Sequence, residues 1–209
     1  MNRVVVTGLG VISPVGNDVA AFWQSLIEGK CGIGPITAFD TTEYKVKIAA
    51  EVKDFDPLQY LDKAEARKQD RFSQFAVAAA SQAMADSGLE SGSNIDSFRL
   101  GVYIGTGTGG MQSFLTESAK LLEKGPSRTL PFFIPMMIGN MAAGNVALRF
   151  HAQGPSLPIM TACATSTNAI GEAYRTIKHG YADAVIAGGA EATIVSLAVS
   201  GFTNCMALT

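Results

Sequence analysis

One stretch of this chain, residues 154–171, limits what the chain can fold into more than any other; it reads GPSLPIMTACATSTNAIG. It opens with the turn signal Gly154-Pro155, and the apolar run 156–160 has the length of a strand. Small and apolar residues then recur three or four apart, as in a helix that Gly180 ends. These positions are Ala164, Asn168, Gly171, Tyr174 and Ile177. The pattern predicts a strand that passes directly into a helix, with Cys163 at the junction.

A cysteine at such a junction has a chemical advantage over one elsewhere in a helix. The unpaired N–H groups and the positive end of the helix dipole favour the thiolate, which is the nucleophilic form. The same N–H groups can hold an oxyanion as it develops. A free cysteine is also a common core residue, and from spacing alone both interpretations of Cys163 stay open. The small neighbours Ala162, Ala164 and Gly171 leave room beside the sulfur and favour function.

The segment TACATSTNAIGEAY resembles the nucleophile motif of the type II beta-ketoacyl-acyl-carrier-protein synthases, condensing enzymes of fatty-acid synthesis in the thiolase-like superfamily. Further segments resemble landmarks of that family in the same order along the whole chain. They are VVVTGLGVISPVGN at the start, IGTGTGG at 104–110, PFFIP at 131–135 and AGGAE at 187–191. The resemblance implies a thiolase-like α/β fold in which a mixed β-sheet is layered with helices.

The resemblance also implies an activity and a set of site residues. Cys163 would accept an acyl group from a carrier thioester, and malonyl-carrier would then lose carbon dioxide and attack that group; no metal or organic cofactor is implied. By resemblance the acyl pocket is formed by Thr108, Ala162, Ala198 and Phe202, with Phe133 reaching in from the partner subunit. Acyl carrier protein would dock on Lys63, Arg67 and Lys68.

The resemblance further implies a homodimer and a larger enzyme. The run 156–160 would pair across the dimer axis, where Pro158 lacks one N–H for such pairing. Enzymes of this family have two related halves, and residues 1–209 resemble the first, ending within GFTNCMALT, a motif that the family continues. The catalytic histidines and lysine of the family lie in the second half, and neither His151 nor His179 matches them. We therefore expect this chain alone to be an incomplete enzyme.

Composition excludes several classes of protein. The net charge of −2 argues against a nucleic-acid binder, which would carry an excess of Lys and Arg. Three cysteines without CxxC spacing make disulfides and a zinc site unexpected and suit a reducing cytoplasm. No signal peptide is visible. The uncharged segment 129–148 is broken by prolines, glycines and asparagines, so we expect packed interior rather than a membrane span.

Strand and helix patterns alternate along the chain, which predicts an α/β fold. Predicted strands are Arg3–Thr7, Tyr44–Ile48, Leu100–Gly105 and Ala184–Ala187. Predicted helices are 17–27 with Asn17 as its cap, Asp62–Ser87, Met111–Lys124 and Pro135–Arg149. In the second of these helices Phe72, Phe75, Ala76, Ala79 and Ala83 form a core stripe.

Several patterns have a second interpretation. GLGVIS has Ser13 in place of a third glycine, and GTGTGG lacks a following Lys-Ser/Thr, so nucleotide binding is not expected. The spacing of Lys63, Arg67 and Arg71 is also that of a solvated helix face. A polyketide ketosynthase and its non-catalytic partner subunit are alternatives to the fatty-acid enzyme, although such partners lack the nucleophile that Cys163 provides. A cysteine hydrolase would need a histidine near Cys163.

Overall fold

The computed structural model describes residues 2–208, which contain four strands and eight α-helices. The strands are β1 (Gly34–Pro35), β2 (Ile48–Ala49), β3 (Leu100–Gly105) and β4 (Ala184–Gly189). The helices are α1 (Val19–Ile27), α2 (Lys63–Ala66), α3 (Arg71–Ser87), α4 (Met111–Lys124), α5 (Phe133–Met137), α6 (Met141–Arg149), α7 (Thr165–Lys178) and α8 (Ser196–Asn204). The α/β alternation agrees with the sequence prediction.

The centre of the molecule is the parallel pair β3 and β4, in register from Leu100 opposite Ala184 to Gly105 opposite Gly189. Every residue of β3 is buried, as the continuous apolar run predicts. A second, antiparallel pair joins β1 to β2. Because β3 and β4 run parallel, both strands end at the same edge, and the loops that follow them lie side by side.

Helix α3 fills the main core between the strands and α6. Its Phe72 and Val77 are fully buried, as are Val102 of β3 and Val146 of α6. Of the predicted stripe, Phe72, Phe75 and Ala76 are buried and Ala79 and Ala83 are half-buried. Helix α3 is buried on more than one face, because α6 packs against one face and β4 against another.

The predicted strand at Arg3–Thr7 is wrong: this segment has no regular secondary structure and pairs with no strand among residues 2–208, and 78% of Val6 is exposed. Its continuation is bound to α3 instead. Leu9 N–H donates to Asp86 Oδ2 at 2.9 Å and Val11 N–H donates to Gln82 Oε1 at 3.0 Å. A Cβ atom on Gly10 would lie 1.9 Å from the Ala79 carbonyl oxygen, so only glycine fits there.

The predicted helix Asp62–Ser87 is two helices, because Asp70 starts a new one. Its side chain caps α3 through Phe72 N–H and also accepts the N–H and hydroxyl of Ser113 at 2.8 and 2.6 Å. The second half ends as predicted, at Gly88 in the left-handed conformation.

The predicted helix Pro135–Arg149 is also divided. Helix α5 begins earlier, at Phe133, and the chain becomes extended at Ile138 before α6 begins. The cap of α1 is Asp18 rather than Asn17, whose amide donates to the Lys53 carbonyl. The predicted strand at 44–48 is reduced to β2, whereas α4 has the predicted bounds.

The predicted strand at 156–160 is wrong: within residues 2–208 this run lies beside β3 and forms a single isolated bridge, between Ser156 and Val102. Leu157 N–H donates to the Val102 carbonyl and the ladder stops there; Pro158, which follows, has no N–H to donate. Helix α7 then begins close to the predicted position. The buried residues are Thr165, Ala169 and Ala173, since these face the strands.

Candidate active site

Cys163 lies in a short 3-10 turn, Ala162–Ala164, directly before α7. This turn lies over the end of the sheet at which β3 and β4 both finish. A Cβ atom on Gly189 would be 3.1 Å from Ser166 in the first turn of α7, and one on Gly107 would be 3.8 Å from Ala162 Cα. Ligand sites of parallel sheets form at this edge, and the Cys163 side chain is exposed there.

The turn that carries Cys163 is held in an unfavourable backbone conformation. Ala162 has φ of +51°, in the left-handed region that costs a non-glycine residue about 1 kcal/mol. Local hydrogen bonds hold it: Thr161 N–H donates to Thr165 Oγ1 at 2.9 Å, and Asn168 Nδ2 donates to Thr161 Oγ1 at 2.8 Å. Strain of this kind is concentrated at functional sites, where surrounding structure maintains it.

The backbone N–H of Cys163 itself is free to bind an anion. Ala164 N–H donates to the Thr161 carbonyl and Thr165 N–H to the Ala162 carbonyl. The N–H of Cys163 makes no hydrogen bond within residues 2–208. A thiol and a free N–H on one residue at a helix start can attack a carbonyl and donate to the resulting oxyanion.

The sequence matches the family model described as beta-ketoacyl synthase, N-terminal domain, over residues 1–209. The chain belongs to the beta-ketoacyl synthase family. A 3-oxoacyl-[acyl-carrier-protein] synthase 2 from Synechocystis sp. is 50% identical over 206 residues, which are 99% of this chain and 49% of that protein. The chain thus spans about half the length of the curated relatives it matches.

Solved ketosynthases share the fold. The ishigamide ketosynthase/chain length factor superposes with a TM-score of 0.88 at 29% identity over 98% of this chain and 51% of the other. A type II PKS acyl-carrier protein in complex with its ketosynthase bound to the hexaketide gives a TM-score of 0.83 at 27% identity. The match covers 97% of this chain and 54% of the other. The thiolase-like α/β fold expected from the sequence is confirmed.

The predicted acyl-pocket residues of this beta-ketoacyl synthase chain lie on four elements. Ala162 adjoins Cys163, Thr108 is in the loop after β3, and Phe133 begins α5 half-buried. Ala198 is buried one helical turn before Phe202 on α8, and 48% of Phe202 is exposed. None of the five lines the large cleft of about 820 Å³ between the N-terminal segment, α3 and β4. Their role as a pocket stays a prediction.

The predicted docking residues Lys63, Arg67 and Lys68 are all exposed, and none forms an ion pair with another residue in the range 2–208. They lie on and just after α2, and Lys68 Nζ lies 5.0 Å from the centre of the Phe132 ring. Arg71 does not lie on the same helix as these residues, because α2 ends at Ala66 and Arg71 begins α3. Its guanidinium packs on Phe75 at 4.8 Å, and burial lowers its pKa.

Neither histidine can serve Cys163 as a base. His179 follows the far end of α7, a helix of 14 residues and therefore about 21 Å long. His151 adjoins the start of β3, since Gln153 N–H donates to Ser97 O just before that strand. It is thus about 17 Å from the end of β3 near Cys163. The cysteine-hydrolase alternative therefore lacks the histidine base that it needs within the described part of the chain.

No group of three or more His, Cys, Asp or Glu side chains is arranged to hold a metal ion among residues 2–208. Nor does that range contain a helix with the length and hydropathy needed to cross a bilayer.

Sequence reasoning assigned no role to Glu191, although it ends the quoted AGGAE segment. Its Oε1 accepts the hydroxyls of Thr106, Thr108 and Thr193 at 3.2, 2.8 and 2.6 Å, and its Oε2 accepts Gly107 N–H at 2.7 Å. The carboxylate thus joins the loop after β4 to the loop after β3. The available signal was an acidic residue at the end of one buried strand and threonines at the end of another.

Proposed function

We propose that this chain carries the nucleophile of a beta-ketoacyl-acyl-carrier-protein synthase. In the first step Cys163 Sγ bonds to the acyl carbonyl carbon, the bond from that carbon to the carrier sulfur breaks, and the cysteine proton passes to the carrier thiol. The single observation that carries the proposal is the strained turn over the strand ends, where the exposed thiol and its own free N–H adjoin.

In the second step malonyl-carrier loses carbon dioxide, and the carbanion left on its α-carbon attacks the acyl carbonyl on Cys163. A carbon–carbon bond forms, the bond to Sγ breaks, and the thiolate recovers a proton. This is two-stage covalent catalysis, and neither step needs a metal or an organic cofactor. The similarity to 3-oxoacyl-[acyl-carrier-protein] synthase 2 supports fatty-acid elongation over polyketide synthesis, since the ketosynthase structures of the comparison are less similar in sequence.

We propose that acyl carrier protein docks on Lys63, Arg67 and Lys68. The three cations are exposed and unpaired within residues 2–208, which supports binding of an acidic partner. Lys68 contacts Phe132, next to Phe133, so the proposed dock of one subunit adjoins the residue that is proposed to enter the pocket of its partner. One of the similar structures is an acyl-carrier protein in complex with its ketosynthase.

The test of the dock is Lys63→Glu combined with Lys68→Glu, with Lys45→Glu as a matched exposed control. Slower association with acyl-carrier substrate is expected, by about tenfold at low salt and less as salt screens the charges. The control should bind as the unmodified protein does. Equal association rates for the double variant and the control would place the dock elsewhere.

We also propose that Thr108, Ala162, Ala198 and Phe202 surround the acyl chain, with Phe133 contributed by the partner of a homodimer. The free side of the run 156–160 supports pairing between subunits, because half of Leu157 and more than half of Met160 are exposed there. The three free, exposed cysteines suit the reducing cytoplasm as the site of the reaction.

We propose in addition that residues 1–209 do not condense substrates unaided, and that they form the first of two related halves. Both histidines of the chain are distant from Cys163, and the curated relatives are about twice as long. Residues 1–209 expressed alone should therefore give no ketoacyl product by mass spectrometry and should associate in light scattering. A monodisperse protein that converts malonyl-carrier would overturn this part of the proposal.

The function itself is tested in the intact gene product with acyl-carrier and malonyl-carrier. Formation of the ketoacyl product should be lost in Cys163→Ala and kept in Cys31→Ala, which also removes an exposed thiol. Full product from Cys163→Ala would refute the proposal.

A further inference from the structure

We propose that Glu191 is a positioning residue for the acylation of Cys163, an inference that rests on the proposed function. Glu191 touches neither the thiol nor, in this proposal, the substrate. It acts by fixing the loop 106–108, which its carboxylate joins to the end of β4 through three hydrogen bonds. That loop lies against the turn that carries the nucleophile.

The contact between the loop and the turn is made at Gly107. A Cβ atom on Gly107 would lie 2.8 Å from Glu191 Oε2 and 3.8 Å from Ala162 Cα. Gly107 is therefore close both to the carboxylate and to the residue before Cys163. A loop that lost the carboxylate would lose the hydrogen bond that holds Gly107 N–H beside this turn.

The same loop also makes contacts that do not involve Glu191. Glu191 therefore determines where residues 107 and 108 lie, but the loop can form without it. Thr106 Oγ1 accepts Gly109 N–H at 3.1 Å, and its methyl group lies 2.9 Å from where a Cβ atom on Gly139 would be. Without Glu191 the loop would keep these contacts and move only at 107 and 108. Thr108 is a proposed pocket residue, and its hydroxyl would lose its partner on Glu191.

The geometry distinguishes a role of the hydrogen bonds from a role of the charge. Oε2 accepts a backbone N–H, which cannot turn round, whereas Oε1 accepts three hydroxyls, which can rotate and accept instead. A glutamine at 191 can direct its carbonyl oxygen to Gly107 and its amide group to the hydroxyls. Glu191→Gln should therefore keep the loop in place and Glu191→Ala should release it.

The experiment uses the intact gene product and two reagents for Cys163. Transfer of an acyl group from acyl-carrier onto Cys163 is followed by peptide mass spectrometry, and alkylation by iodoacetamide counts the folded, reactive thiol. Glu191→Ala should slow acyl transfer by about tenfold or more and change alkylation by less than about twofold, because a misplaced pocket affects only the larger substrate. Glu191→Gln should transfer acyl groups within about threefold of the unmodified rate.

A second variant covers the case in which Glu191→Ala does not fold. Thr193→Val keeps the shape of the side chain and removes the hydroxyl that donates to Oε1 at 2.6 Å; a slower acyl transfer with unchanged alkylation is again expected. Glu172→Gln is the matched control, since it is an exposed carboxylate on α7 that is paired only with Arg175. The control should leave both rates unchanged.

The outcomes separate this inference from the function on which it rests. Acylation of the unmodified protein with an equal rate in Glu191→Ala would overturn the positioning role alone. A Glu191→Gln variant as slow as Glu191→Ala would overturn positioning by hydrogen bonds, since only the charge would differ. No acylation of the unmodified Cys163 would overturn the proposed function, and the inference with it.

Discussion

Gly105 is the position at which a single methyl group should disturb the site most. A Cβ atom there would lie 1.8 Å from the Ile159 carbonyl oxygen and 2.4 Å from Thr165 Cγ2. Ile159 belongs to the run that leads into the Cys163 turn, and Thr165 is the first residue of α7. Gly105→Ala therefore pushes on both ends of the segment that holds Cys163, the proposed nucleophile.

The size of the effect follows from these distances. Carbon and oxygen atoms in contact are separated by about 3.3 Å or more, so the backbone at Ile159 would have to retreat by more than about 1 Å. Overpacking of this kind costs about 3 kcal/mol, at the upper end of its usual range. For a chain of this size that corresponds to about 6–12 °C in Tm. A displacement of about 1 Å at the nucleophile should slow acyl transfer by about 100-fold.

Gly188→Ala is the matched control, because Gly188 lies on the adjacent strand and a Cβ atom there meets nothing within 4 Å. Alanine should leave Tm unchanged or raise it slightly, since it restricts the unfolded chain. Thermal melting by circular dichroism and acylation of Cys163 by mass spectrometry measure the two effects. A Gly105→Ala protein that melts and reacts like Gly188→Ala would refute the reasoning that β3 and the Cys163 turn share this contact.

Two further changes test the packing around the site. Asp70→Ala removes the cap of α3 and leaves the buried N–H of Ser113 without an acceptor. The free energy of unfolding, measured by denaturant titration, should therefore fall by about 2–4 kcal/mol. Asp62→Ala, which removes the exposed cap of α2, should lower it by about 1 kcal/mol. Hydrogen bonds from Lys120 and Leu130 N–H lower the pKa of Glu117. Stability from this group is present above its unfolded pKa and is lost as pH falls through the lower pKa of the folded state. Glu117→Gln should flatten that acid-side loss, and an unchanged pH profile would contradict the assignment.

Local sequence signals predicted two kinds of element: helices, whose backbone hydrogen bonds lie within one segment, and strands that are completely buried. Helix α4 has the predicted bounds, because Gly125-Pro126 stops it, and β3 is recognisable as a buried apolar run. The Cys163 turn was placed correctly between an apolar run and a helix. Its strain at Ala162 could not be read from the sequence, since nothing in an alanine signals a positive φ.

The errors arose where a side chain or a distant segment decides the backbone. Asp70 reads as a polar residue within a helical pattern, but its bonds to Ser113 make it a cap and divide the helix. On α7, Ile170 and Tyr174 are exposed whereas the smaller Ala169 and Ala173 face the strands, so hydrophobicity alone does not identify the buried face of this helix. Glu191 was missed because its partners lie more than 80 residues earlier in the chain.

The central claim is that Cys163, and neither of the other cysteines, receives the acyl group. Cys31, Cys163 and Cys205 are all exposed, so access alone does not distinguish them. The decisive measurement is peptide mass spectrometry of the intact gene product after brief exposure to acyl-carrier. The mass of one acyl group should appear on the peptide containing Cys163 and disappear on addition of malonyl-carrier. An acyl group on Cys31 or Cys205 at the same rate, or one that malonyl-carrier does not remove, would contradict the account.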